Sequence, residues 1–191
     1  MIEKTLEKLF EAASVPDPHG AASLLISKYH TLDGVFSADP SAISGLLGER
    51  IAMLIKLTAA TVRRRAEETL APGTRCSDEL LRPELAGFFC GCSVEMIYLI
   101  SLGDSNEILS IDLVGEGAVN SASITSRSLL DVAIRRGAKK AFIVHNHPAG
   151  VAEPSSEDVA FTDSAEQILA SIGVKLLAHY VVAGTQCKKI D

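Results

Sequence analysis

Two kinds of hydrophobic periodicity divide the chain. Over roughly the first seventy residues apolar positions recur every three or four places, the signature of helices with one buried face. Leu6, Leu9, Phe10 and Ala13 predict a helix over 3–13, which Val15-Pro16-Asp17-Pro18-His19-Gly20 interrupts. Ala22, Leu25, Ile26 and Tyr29 predict a second over 20–30, and Val35 and Phe36 a short helical turn. Asp39-Pro40-Ser41 suits another helix start, since proline is well placed in a first turn. The strongest helix of this half runs from Ile51 to about Leu70, with Ile51, Leu54, Ile55, Thr58 and Val62 in register.

Beyond residue 80 the pattern shortens. Residues 83–89 are expected to be helical, and from Val94 a run of strand character begins, with Glu95 the one charged residue inside it. Gly103-Asp104-Ser105-Asn106 is turn chemistry, and 108–114 reads as the returning strand of a hairpin. Thr125 or Ser126 is expected to cap a helix through Leu129, Leu130, Ala133 and Ile134, closed by Gly137. Residues 141–144 read as a buried strand, 155–171 as a helix, and 174–182 with a short segment near Lys188 as the last strands. This mixture predicts an α/β sheet flanked by helices. Ala71 to Glu79 has linker composition, and the domain boundary is placed there: a helical N-terminal domain over 1–72 and the sheet domain over 73–191.

Composition narrows the class. Of 191 residues 47% are hydrophobic and 5% aromatic with no Trp, so the core rests on aliphatic side chains. No apolar run approaches the ~18 residues a membrane helix needs, and Met1-Ile2-Glu3-Lys4 does not open a signal peptide. A cytoplasmic protein without a membrane partner is expected. The net charge is −6, with residues 1–75 balanced at nine basic and nine acidic side chains and 76–191 at nine against fifteen. Neither half carries the basic footprint that phosphate backbones demand. Cys76, Cys90, Cys92 and Cys187 include no Cys-x-x-Cys, so they read as reduced thiols rather than a structural zinc site.

The densest chemistry lies in Val144-His145-Asn146-His147-Pro148-Ala149-Gly150 and in Glu153-Pro154-Ser155-Ser156-Glu157-Asp158. Two histidines separated by one residue put both imidazoles on one side of an extended segment. Pro148, Gly150 and Pro154 force a turn. Ser155 then suits an N-cap, with Glu157 and Asp158 in the first helical turn. Two His and one Asp around an open fourth position suit a catalytic zinc. The plainer alternative is a strand end, a polar loop and a capped helix whose histidines merely serve the loop.

These residues, His145-x-His147-Pro148 with Ser155 and Asp158, resemble the metal motif of the JAB/MPN (JAMM) metalloprotease superfamily. The fuller wording His-Asn-His-Pro-x-Gly-x-x-x-Pro-Ser-x-x-Asp is similar to its bacterial RadC-like branch. The resemblance implies zinc held by His145, His147 and Asp158 with water as fourth ligand. It implies that Ser155 helps to hold a tetrahedral intermediate, and a glutamate at the start of an early strand matches Glu95.

Peptide hydrolysis needs a carboxylate near the metal but not bound to it. Glu95 is the first candidate and Glu116, in Gly115-Glu116-Gly117, the second. His179 is read as a core or edge histidine; RadC-like proteins usually have Asp before it, where this chain has Ala178. At Ser126-Arg127-Ser128 they tend to have Pro-Arg-Glu.

The fold implied is a JAB/MPN-like mixed sheet flanked by helices, preceded by a small all-helical domain with a degenerate helix-hairpin-helix. Gly45-Leu46-Leu47-Gly48-Glu49 spaces its glycines too widely for that hairpin and ends in a carboxylate that repels phosphate, so a packing or partner module is expected there. The function expected is a zinc-dependent hydrolase of the JAMM type acting on a peptide or isopeptide bond of a peptide or protein substrate. The alternative is a DNA-associated or partner-binding RadC-like module with a non-catalytic metal site.

Overall fold

A computed structural model describes residues 2–117, 122–148 and 150–190, with side chains for 3–117, 126–148 and 150–190. The chain forms two compact units, one of residues 1–64 with 90–93, the other of 65–89 with 94–191.

The first unit is helical. Helices α1 (Ile2–Ala12), α2 (Pro18–Tyr29), α3 (Leu32–Ser37), α4 (Pro40–Leu47) and most of α5 (Glu49–Thr69) follow the expected order. Side-chain oxygens of Asp17, Thr31 and Asp39 cap α2, α3 and α4 by accepting from otherwise orphaned backbone N–H groups. Leu6, Phe10, Leu25, Val35, Ile43 and Ile55 form the buried centre. The segment 90–93 closes on this unit. At Gly91, φ is +79°, and a Cβ there would stand 3.1 Å from the Ala59 methyl. Between α4 and α5 the chain turns at Gly48 (φ +88°).

The second unit is a three-layer α/β fold. Strands β1 (Met96–Leu102), β2 (Ile108–Glu116), β3 (Lys140–Asn146), β4 (Lys175–Ala183) and β5 (Gln186–Ile190) form one mixed sheet in the order β2-β1-β3-β4-β5. The hairpin expected around Gly103 to Asn106 is present, with Asn106 at φ +64°. Strands β3 and β4 are parallel and the other neighbours antiparallel. The parallel pair needs a crossover, and α8 (Ser156–Ser171) supplies it.

Alternation along the strands assigns the two faces. Ile97, Leu99, Ala141 and Ile143 pack with Leu129, Val132 and Ala133 of α7 (Ala122–Arg136) and Phe161, Ala165 and Leu169 of α8. On the opposite face Phe88 of α6 (Asp78–Phe88) stands edge-on to Tyr98 at 5.0 Å, and Arg82 lies over the Tyr180 ring.

Three local expectations are corrected. Helix α6 begins at Asp78 and contains Pro83, because Ser77 caps it six residues before the proline. The stretch 71–79 is not a free connector. Gly73 and Cys76 donate to the carbonyls of Ile108 and Asn106, and Ile108 donates to Thr74, so it lines the start of β2. Helix α7 begins at Ala122, a turn ahead of the cap expected at Thr125 or Ser126; the side chain of Thr125 lies outside the described residues. No helix among the described residues is long and apolar enough to cross a membrane, and the four cysteines are unbonded to one another.

Leu129 is fully buried between α7 and the sheet. Its truncation to Ala should cost about 2–5 kcal/mol through lost burial and the cavity left behind. Urea unfolding would read this as a lower midpoint at unchanged slope; a loss below about 1 kcal/mol would mean the site collapses around the smaller side chain.

Candidate metal centre

Strand β3 enters the sheet buried and leaves it as the candidate site. By alternation Ala141, Ile143 and His145 point to the α7/α8 side, and His145 is fully buried there. His147 follows just past the strand, its backbone N–H held by the carbonyl of Val182 at 2.8 Å. The loop that includes Ala149, itself outside the described residues, returns the chain to α8.

At the start of α8 the expected cap is complete. Ser155 Oγ accepts from the Asp158 backbone at 3.1 Å, and Asp158 Oδ2 accepts the Ser155 backbone N–H at 2.8 Å. The Ser155 hydroxyl donates to the same Oδ2 at 2.8 Å. This is a capping box with Asp in the third helical position. The cap fixes the carboxylate so that its two oxygens face the two histidines: Oδ1 lies 3.3 Å from His145 Nε2 and Oδ2 3.3 Å from His147 Nε2. The two Nε2 atoms are 3.0 Å apart.

Glu95 completes the group. Ligand-capable atoms of Glu95, His145, His147 and Asp158 all lie within 4.8 Å of one another. Glu95 is not inside a strand, as its apolar surroundings in the sequence suggest; it is the residue before β1, directly after a bend at Val94. Its carbonyl accepts from Gly117 at 2.8 Å. The register of β1 against β2 shifts between Ile97 and Tyr98, and such a bulge re-aims the strand end. Glu116, the second candidate, ends β2 in an exposed position and is not in the group.

Asn146, between the histidines, locks Glu95 in place. Its Oδ1 accepts from the Met96 N–H at 2.8 Å and its Nδ2 donates to the Val94 carbonyl at 3.0 Å. The amide thus pins the backbone on both sides of Glu95. Asn146 is thus a clamp on a site residue 51 positions earlier in the chain.

His179 is the functional candidate that the sequence undervalued. It is buried, as a core histidine would be, yet its Nε2 sits 2.8 Å from His145 Nδ1 and its Nδ1 2.7 Å from Thr162 Oγ1. Strand-to-strand register brings it there, with Ile143 opposite His179 in β4, and nothing in the sequence states that register.

Electrostatics set the charge states. Burial alone would raise the Asp158 carboxyl, but the His145 imidazole beside it and hydrogen bonds from the Ser155 backbone and hydroxyl outweigh it, holding the group well below the usual carboxylate range. Burial raises Glu95, partly offset by His145 and His147 and reinforced by Asp158. Burial, and then His145, hold His179 well below the usual imidazole range.

The donor chemistry fits a cation. His147 Nδ1 lies 3.0 Å from the Val151 carbonyl, which can only accept, so the N–H of a neutral His147 is there and Nε2 is bare. His145 Nε2, His147 Nε2 and an ionised carboxylate therefore converge with at most one proton among them. Such a cluster of acceptors, mostly buried, is stable when a positive charge sits at its centre. Two imidazole nitrogens and a carboxylate, leaving a position open, are ligands a divalent metal takes up.

Residues 77–188 match the family model for the RadC-like JAB domain. The chain belongs to that family. It is 30% identical over 165 residues to a UPF0758 protein of Herminiimonas arsenicoxydans, covering 85% of this chain and 74% of that protein. It is 30% identical over 168 residues to a UPF0758 protein of Chromobacterium violaceum, again covering 85% and 74%. A third, from Bordetella petrii, is 30% identical over 165 residues, with 85% and 73% covered. The RadC-like match spans the sheet, both histidines and Asp158, so the candidate centre lies wholly inside the shared domain.

The Asn146 clamp makes a specific demand on side-chain chemistry. Asn146→Ala leaves the Met96 N–H and Val94 carbonyl without partners and should cost about 1–3 kcal/mol. Asn146→Asp keeps the acceptor for Met96 but sets a carboxylate against the Val94 carbonyl, so it should not restore the loss. Urea unfolding of both variants checks this, and wild-type stability in Asn146→Asp would rule the clamp out.

Proposed function

We propose that this chain is a zinc-dependent hydrolase of the JAMM type that cleaves a peptide or isopeptide bond in a peptide or protein substrate, in the cytoplasm. The observation that carries the reading is the convergence of His145, His147 and Asp158 on one point with Glu95 beside them. A zinc ion at such a centre supplies Lewis acidity, polarising a carbonyl and acidifying water.

In this reading His145, His147 and Asp158 are the ligands. Glu95, half-buried and raised by that burial, is the group that accepts the proton of the attacking water and delivers it to the leaving amine. A base poised nearer neutrality than an ordinary carboxylate suits both transfers. Ser155 has its hydroxyl on Asp158, so it first holds that ligand in place; its exposed position beside the centre also suits a donor to the oxyanion of a tetrahedral species.

Zinc content after reconstitution tests the assignment. Wild type should hold zinc stoichiometrically; His147→Ala and Asp158→Ala should lose it, and Glu95→Gln should keep it. Screened on fluorogenic peptide libraries and isopeptide-linked conjugates, Glu95→Gln should fall by at least about 10²-fold relative to wild type, the scale of a lost general base. A wild type that takes up no zinc would end the enzyme reading. Loss of zinc in Glu95→Gln would make that glutamate a ligand and require another base.

A further inference from the structure

We propose that Thr162 and His179 are positioning residues for the metal centre: they form a hydrogen-bonded relay from the Asp158 main-chain carbonyl to His145 that leaves Nε2 of His145 bare and turned toward the centre. The inference rests on the metal reading above, and the directions of the hydrogen bonds carry it.

Thr162 Oγ1 lies 2.6 Å from the backbone carbonyl of Asp158. A carbonyl can only accept, so the hydroxyl hydrogen is committed there. The same oxygen lies 2.7 Å from His179 Nδ1, so it must accept from that nitrogen, and Nδ1 of His179 carries the hydrogen. His179 is 1% exposed and packed edge-on against Phe161 at 5.8 Å. A buried neutral imidazole has one N–H, and His179 has given its own to Thr162. Its Nε2 is then an acceptor, and the partner 2.8 Å away, His145 Nδ1, must donate. A neutral His145 in turn has one N–H, spent on His179, and its Nε2 keeps the lone pair.

That lone pair faces Asp158 Oδ1 at 3.3 Å, the carboxylate of the residue whose main-chain carbonyl began the chain of bonds. The relay runs Asp158 C=O, Thr162 O–H, His179 and His145, and ends at the bare nitrogen that faces the Asp158 side chain. It ties α8, β4 and β3 together at the centre. One turn of α8 separates Asp158 from Thr162, so the helix that caps on the ligand also fixes the far end of the relay. A partner on the other ring nitrogen sets which nitrogen of a histidine is free for a metal. Here a hydroxyl makes that choice two residues away from the metal.

Thr162→Val keeps the shape and removes the hydroxyl; Thr162→Ser keeps the hydroxyl. Competition of the purified proteins with a chromogenic chelator for zinc should show about 10–100-fold weaker binding in Thr162→Val, the scale of a lost outer partner, and near wild-type binding in Thr162→Ser. Long-range nitrogen–proton NMR of the metal-free wild type at pH 9 should place the hydrogen on Nδ1 of both His145 and His179. Zinc affinity of folded Thr162→Val within about two-fold of wild type, against the outer-partner scale, would overturn the proposal. So would a hydrogen on Nε2 of His145. If Thr162→Val does not fold, or the wild type takes up no zinc, the NMR assignment still decides the relay, and zinc uptake by the wild type alone decides the metal reading.

Discussion

The arrangement around which the second unit is built is a crowd of acceptors. Two imidazole nitrogens stand 3.0 Å apart, and one carboxylate lies 3.3 Å from each. His145 and Asp158 are almost wholly buried. With at most one proton among them, the remaining lone pairs repel in a medium that screens poorly. The protein must therefore hold them by other means, and every surrounding bond does so. The cap of α8 fixes the carboxylate, Val151 takes the outer N–H of His147, and the sheet takes the backbone of both histidines.

The topology explains why these groups meet. In an open sheet, sites gather at the carboxyl ends of parallel strands. Among the described residues β3 and β4 are the one parallel pair of neighbours in this sheet, and the crossover between them is α8. The helix N-terminus that begins the crossover thus falls next to the end of β3, and its partial positive charge favours the carboxylates of Glu157 and Asp158 in its first turn. Antiparallel β1 brings its own beginning to the same edge, since Ile97 pairs with His145. Glu95, two residues earlier, reaches the centre from the other side.

What the sequence revealed of this follows from distance along the chain. The helical half was legible almost element by element, because its periodicity and its Asp17, Thr31 and Asp39 caps are local. His145, His147, Ser155 and Asp158 were legible for the same reason: strand, turn and cap lie within fourteen residues. Glu95 could be singled out as a lone charge in an apolar run, but the run does not say that the strand starts one residue later. His179 was read as a core histidine because its partners come from register between two strands and from a helix position in another element. The two bonds of Asn146 to Val94 and Met96 depend on the pairing of β1 with β3 and leave no local trace. Pro83 and the composition of 71–79 misled for a different reason, since tertiary contacts with β2 and the cap at Ser77 outweighed local propensity.

Asp158 serves two ends at once, and this bears on whether the centre is preformed. Its carboxylate accepts from the Ser155 backbone and hydroxyl, bonds that stabilise a helix start by about 0.5–2 kcal/mol with or without a metal. The side chain is consequently oriented by α8 itself, and a metal entering the site need not order it. The same holds for His147, through Val151, and for Glu95, through Asn146 on either side of its backbone. A centre ordered in this way spends little conformational entropy on capture. The repulsion among its acceptors is instead a cost carried by the folded metal-free protein, offset by the cap and the sheet. A metal bound there would meet side chains already in place rather than fold a loose loop around itself, and the surrounding hydrogen bonds would set its affinity as much as the side chains that touch it.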